Sequence, residues 1–453
     1  MSLIQARMPA VPSLPLGPKE YDRQFIDQFA TVLRLYFNQL NNVVSQIVAN
    51  QGPYEVSLYG MAVDAFGRAR VSQPYTLFDS QNRYAIDNQF DTSTATGGST
   101  TYQANEATVD LNVTTSSGSQ VVRQTYRSFP YQPGKSLLIL TTFVMNAAKT
   151  GLRQRVGYFN TQNGVFLQRN DSTVSLVLRT YTGGSVDDSR AVTQANWNGD
   201  KLDGTGDSGL TLDLSKSQIF FMDVEWLGVG NVRCGFIING QYVVAHTFYN
   251  ANDLSKVYMT TAVLPVRYEI TNTTATASAS TLKQICSTVI SEGGYEQTSI
   301  DHVARRTTAL ATIGTTFLPL VSIRLASTAL GAVVLPNRVQ VLPTTSQNYE
   351  VALIKNPTLT GASWSAVSTN ANVEFDVSAT ATTGGSIVQT DYATASGSGG
   401  AQNLSAATGY NWDSQLGASL AGVSDIYTVA IRTVSGATTG DAVGSLSFYD
   451  LTQ

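Results

Sequence analysis

Residues 218–248 read QIFFMDVEWLGVGNVRCGFIINGQYVVAHTF. Phe220, Met222, Val224 and Trp226 fall on alternate positions, with Phe221, Asp223 and Glu225 between them. Side chains alternate faces along a strand, so this spacing predicts a strand with one face turned to a core. The runs Val232–Ile238 and Gln241–Thr247 then flank Asn239-Gly240. Asn-Gly supplies the two positive φ angles of a type I′ turn, so the pair predicts a hairpin. Upstream, SLLILTTFVM (Ser136–Met145) is an apolar run of buried-strand type, and strands separated by polar turns continue to about residue 290. This is the pattern of a sandwich or jelly roll, and it excludes alternating βαβ units.

Further along, residues near 292–306 read as a connection, and Phe317 to Gln453 as a second β-domain. Its candidate strands are Leu318–Leu325, Val339–Leu342, Tyr349–Ile354, Val373–Ala379, Ile426–Val434 and Ser445–Leu451. Ser/Thr/Gly-rich stretches at 380–386, 394–400 and 436–440 separate some of them as loops. No repeat of fixed period argues for a solenoid or propeller.

The N-terminal region has a different character. Ile26, Phe29, Leu33, Tyr36, Leu40, Val43 and Ile47 alternate spacings of three and four, a heptad seam over three turns of the repeat. Phe25, Val32, Phe37 and Val44 widen the apolar face where a two-stranded coil would carry charge. A helix of this kind assembles three or more copies, or packs as the core face of a larger body. Gly52 and Pro53 end it. Before it, Pro9, Pro12, Pro15 and Pro18 recur every three residues, the period of polyproline II. Leu3, Ile4, Val11, Leu14 and Leu16 favour a docking arm over a bare linker. The expected organisation is an anchoring arm at 1–20, an oligomerisation helix at 21–52, a sandwich at 53–300 and a C-terminal sandwich at 301–453.

Composition limits the function. Of 453 residues, 42% are hydrophobic, so a sizeable core is affordable, and only 13% are charged against about 25% in a typical soluble domain. A net charge of −4 gives no electrostatic case for nucleic-acid binding. From residue 307 onward four basic groups face eight acidic ones, so the C-terminal region carries the whole imbalance. No apolar run is long enough to span a membrane and no signal pattern opens the chain, which implies assembly in the cytoplasm.

Catalytic chemistry finds little support. His246 and His302 are framed by no nucleophile elbow, P-loop or dinucleotide fingerprint, and with Cys234 and Cys286 they make no zinc pattern. The loop from Asp200 to Asp207 is rich in Asp and Gly but lacks EF-hand spacing, and reads as a turn. No catalytic residue, metal or cofactor is expected. Trp197, beside that loop, and Tyr181 upstream are the candidates for stacking a sugar ring.

Two resemblances bear on the residues above. FMDVEWLG (Phe221–Gly228) resembles the Glu-x-Asp-x-Glu strand of laminarinase-type glycoside hydrolases, in which the first Glu is the nucleophile. Phe221 stands at that position, so the resemblance implies a similar sandwich strand without hydrolysis. The runs Asp203–Asn252, Val257–Ile270 and Ile285–Tyr295 together resemble a family of tailed-phage virion structural proteins, often from marine or cyanobacterial phages, with a concanavalin-type sandwich. That resemblance implies a particle component. The expectation is therefore a fibre, spike or capsid decoration protein displayed as a homotrimer, joined to other virion proteins through residues 1–50. The alternatives are an adhesin for host surface glycans, a glycan depolymerase, or a tail or baseplate ring component.

Overall fold

The computed structural model describes residues 23–50, 73–296, 299–369, 371–394, 412–434 and 439–452. The chain divides into two compact units, Met1–Val71 and Ser72–Gln453.

In the first unit the described residues form one α-helix, Arg23–Asn50, of 28 residues. At 1.5 Å per residue it is about 42 Å long. Phe25 and Phe29, one turn apart, stack with ring centroids 6.2 Å apart. Pro9, Pro12, Pro15 and Pro18 lie outside the described residues, as do the side chains of Val43 and Ile47.

The second unit is built on two antiparallel sheets packed face to face. Among the described residues, one sheet runs in the order Gln241–Phe248, Val232–Ile238, Gln218–Val224, Leu137–Val144, Ser280–Ser291, Thr108–Val113, Ser99–Gln103, with Tyr75–Gln81 also paired to Ser280–Ser291. The other runs Asp187–Thr193, Thr173–Thr180, Gly164–Asn170, Leu152–Phe159, Val266–Asn272, Gln120–Thr125, Phe90–Ala95. Alternation sets the inner faces. Phe220, Met222 and Val224 from one sheet meet Val156, Tyr158, Leu167 and Leu176 from the other in one core, all fully buried. The hairpin forms as its turn dictates, with Ile238 paired to Gln241 and φ of 53° at Asn239 and 76° at Gly240.

The outer face of the second sheet is also covered. Phe159 and Phe166 lie tilted at 4.4 Å, with the guanidinium groups of Arg155 and Arg179 over Phe166 and that of Arg267 over Phe159. Glu269, 3% exposed, bridges Arg267 at 2.9 Å, Arg153 at 3.2 Å and Arg155 at 3.6 Å. Burial alone would raise its carboxyl; the three arginines outweigh that and hold it below the usual range. Gly157 makes room for this layer. A Cβ there would stand 2.6 Å from Phe166 Cα on the next strand.

A second hydrophobic core follows, under a six-stranded sheet ordered Ser365–Ala366, Val373–Asp376, Leu318–Leu325, Ile426–Thr433, Asn348–Lys355, Ser386–Thr394 among the described residues. Among the described residues a three-stranded sheet places Gly440–Asp450 between Ile300–Ile313 and Val334–Pro343. Two expectations are corrected here. Part of the connection read at 292–306 is the first half of the strand Ile300–Ile313, and the loop read at 380–386 contains the strand Ala381–Thr383. The contact unit Ser72–Gln453 holds both hydrophobic cores. Val333, Leu335 and Trp412 sit in the core of the first sandwich. Gln415 donates to the carbonyl of Ser128 at 2.8 Å, and the Leu420 amide to the Asp91 carboxylate at 2.7 Å.

Candidate functional site

Along the helix, the seam residues Phe29, Leu33, Tyr36 and Leu40 are half-buried, while Ile26 is 46% exposed. Leu35 and Phe37, beside the seam, are 58% and 59% exposed. No helix of the described residues is long and apolar enough to cross a membrane.

The sandwich treats the two candidate sugar contacts differently. Trp197 is 2% exposed and belongs to the core; its indole N–H donates to the Val192 carbonyl at 3.2 Å. The physical reason is the chain that follows. Gly199 and Asp200 donate their amides to Ala245 and Val244 at 2.9 Å each, tying the segment to a sheet edge and turning the ring inward. Trp197 therefore has no free face to stack a sugar, a correction to the sequence reading. Tyr181 is half-buried, and its amide donates to Asn163 Oδ1 at 3.2 Å. In the nearby loop Asp200 is used locally, accepting from the amides of Leu202 at 2.8 Å and Ser208 at 2.7 Å.

His246 Nδ1 accepts the Asn198 amide at 3.2 Å, and burial, helped by Arg190, lowers its pKa toward the neutral ring. The His302 ring stacks on Phe448 at 5.5 Å. Phe221 is 3% exposed and packs edge-on against Tyr242 at 5.1 Å.

Beyond Phe221 the same face turns polar. Asp223 is 8% exposed and takes a hydrogen bond from Arg233 Nε at 2.9 Å; Glu225 is exposed. With Lys135 and Asn231 they line a pocket of about 390 Å³. Glu292 is close enough to respond: burial first, then the Asp223 charge, raises its carboxyl.

Lys135 also lines a second pocket, of about 520 Å³, walled by Tyr131, Trp226 and Tyr295 and edged by Gln132 and Glu296. Each ring is held from behind. Tyr131 lies edge-on to Trp226 at 5.9 Å and its hydroxyl accepts the Leu227 amide at 3.2 Å. The Trp226 N–H donates to the Met259 carbonyl at 3.2 Å. Tyr295 packs edge-on to Trp412 at 4.8 Å. Lys135 Nζ donates to Gln132 Oε1 at 2.9 Å, and that same oxygen accepts the Glu296 amide at 3.0 Å. The lysine stem lies against Gly293, where a Cβ would come 2.5 Å from Lys135 Cγ. The sequence reading missed this pocket. Its walls come from distant segments, and its one local signal, the Gly-Gly before Tyr295, read as a connection.

No protein-family model matches the chain, and no curated protein matches it. Among solved structures the chain is similar to a protein of unknown function from Shewanella oneidensis MR-1, at 9% identity and TM-score 0.33 over 51% of this chain and 91% of that one. It is similar to a β-1,3-glucanase from Mycobacterium marinum at 11% identity and TM-score 0.32, over 48% of this chain and 98% of that one. A carbohydrate esterase from the Shiga toxin-encoding bacteriophage phi24B matches at 10% identity and TM-score 0.30, over 49% of this chain and 100% of that one. Likeness at this level leaves the fold to be read from the sheets themselves.

Proposed function

We propose that the chain is a non-enzymatic structural protein of a tailed-phage particle, a fibre, spike or capsid decoration component. It is displayed as a homotrimer and joined to capsid or tail proteins through residues 1–50. The observation that carries the assembly is the helix Arg23–Asn50, whose apolar seam keeps a seven-residue repeat and whose flanks at Phe25, Val32 and Phe37 are also apolar. A stripe that wide suits three or more strands. Association of copies would cover its apolar groups, and burying them contributes about 25 cal/mol per Å². The particle assignment draws on the sequence resemblance across residues 203–295. No catalytic role is assigned, because Phe221 stands where a nucleophilic Glu is required. Display in threes also multiplies weak contacts, since the second and third binding events become intramolecular.

The test is the mass of the purified chain by light scattering. A trimer of about three times the 48.5 kDa chain, falling to monomer in Leu33→Asp/Leu40→Asp, supports the reading. A wild-type monomer refutes it. A second reading, an adhesin for host surface glycans, is favoured by the aromatic-walled pocket beside Lys135.

A further inference from the structure

We propose that the two pockets sharing Lys135 form one groove for a short neutral oligosaccharide, a ligand class that rests on the adhesin reading above. One sugar ring lies against Trp226 and Tyr295, and the next reaches Asp223, Glu225 and Asn231.

Three observations carry this. The first is size and lining. Pockets of about 520 and 390 Å³ fall within the roughly 300–1,000 Å³ of small-ligand sites. One has aromatic walls and the other is polar, which matches the apolar ring faces and hydroxyl edges of a saccharide. The second is preorganisation. Gln132 fixes the Glu296 backbone from both directions and holds the lysine ammonium at 2.9 Å, so these groups are placed before any ligand arrives. Lys135 gives one N–H to Gln132, and an ammonium carries two more that can meet ligand hydroxyls. The third is charge. Lys135 and Arg233 are the cations lining the groove; Asp223, Glu225 and Glu296 are the carboxylates, with Glu292 alongside. Asp223 and Arg233 satisfy each other, so the surplus is acidic. Carboxylates accept hydrogen bonds from sugar hydroxyls but repel uronic, sialic or sulfated sugars.

The test is calorimetric titration of the full chain with hexasaccharides of β-1,3-glucose, β-1,4-glucose, α-mannose and β-1,4-N-acetylglucosamine, with oligogalacturonate as the acidic comparison. Binding of at least one neutral hexamer, ten times tighter than oligogalacturonate, supports the proposal. So does a tenfold or greater loss in both Lys135→Met and Tyr295→Ala. Lys135→Met keeps the stem against Gly293, so it reads the ammonium even if Tyr295→Ala disturbs folding. No binding of any neutral hexamer, tighter binding of oligogalacturonate, or a Lys135→Met variant indistinguishable from wild type overturns it. Light scattering on the same samples separates the two ideas: a trimer that ignores every sugar refutes the groove and leaves the assembly standing.

Discussion

Replacing Glu269 by Gln removes one negative charge from beneath three guanidinium groups without changing the side chain's shape. The carboxylate is 3% exposed, with Arg267 at 2.9 Å, Arg153 at 3.2 Å and Arg155 at 3.6 Å. Taking one partner from a buried ion pair costs about 3–5 kcal/mol, because the remaining charge stays desolvated. Arg153 keeps 27% of its side chain in solvent, and the amide oxygen still accepts one bond, so the lower end, about 3 kcal/mol, is expected. At roughly 1–2 °C per kcal/mol, an extension to this larger unit of the inverse size scaling, Tm falls by about 3–6 °C at neutral pH. The pH dependence gives a second reading. The Glu269 carboxyl is held below its ordinary value of 4.5, so its stabilising effect is present above that pH and is lost as pH falls through the depressed folded value. The difference between wild type and Glu269→Gln must therefore shrink in acid. Calorimetric scans at pH 7 and in steps below pH 4.5 measure it. A Tm within about 1 °C of wild type at pH 7, or a gap that stays constant into acid, would falsify the assignment of this layer as a charge-dependent cover over Phe159 and Phe166.

Trp197→Ala creates a core cavity and costs about 3–5 kcal/mol, seen as a large drop in Tm; a thermally neutral variant contradicts the burial of the ring. Gly157→Ala presses a methyl group against Val165 and Phe166 on the next strand and costs about 1–3 kcal/mol or more; unchanged thermal unfolding argues against that close approach. Cys234 is fully buried and Cys286 half-buried, and burial raises both thiols, so a disulfide reagent at pH 8 labels neither quickly in the folded chain and both after denaturation. A fast first equivalent in the folded chain contradicts this.

The strands with a local signature were legible in the sequence. Leu318–Leu325 falls where its apolar run predicts, and Asn239-Gly240 closes the hairpin with the two positive φ angles that its turn needs. Ile300–Ile313 was not legible. It lies at the edge of its sheet, where His302, Arg305 and Arg306 are tolerated, so its pattern resembles a polar connection. Val373–Asp376 is shorter than its apolar run suggests because Asp376 accepts the amides of Ser363 at 2.8 Å and Ser378 at 3.0 Å and turns the chain. Asp223 and Glu225 were visible as near neighbours, although the strand ends at Val224 and Glu225 lies just beyond it. The groove around Lys135 was not, because the exposure of Trp226 and Tyr295 is decided by where distant segments stop packing. Trp197 shows the reverse: polar neighbours in sequence, yet a ring folded inward.

The three-stranded sheet near the end of the chain also sets a schedule. Its middle strand, Gly440–Asp450, is made last, after both strands it joins. At about 5–20 residues per second, the ribosome needs roughly 5–20 s to go from Pro343 to Asp450. For that interval Ile300–Ile313 and Val334–Pro343 have no partner between them, and their open backbones invite pairing with a neighbouring nascent chain. On a polysome making many copies side by side, the last eleven residues of this sheet are the step that separates maturation from entanglement.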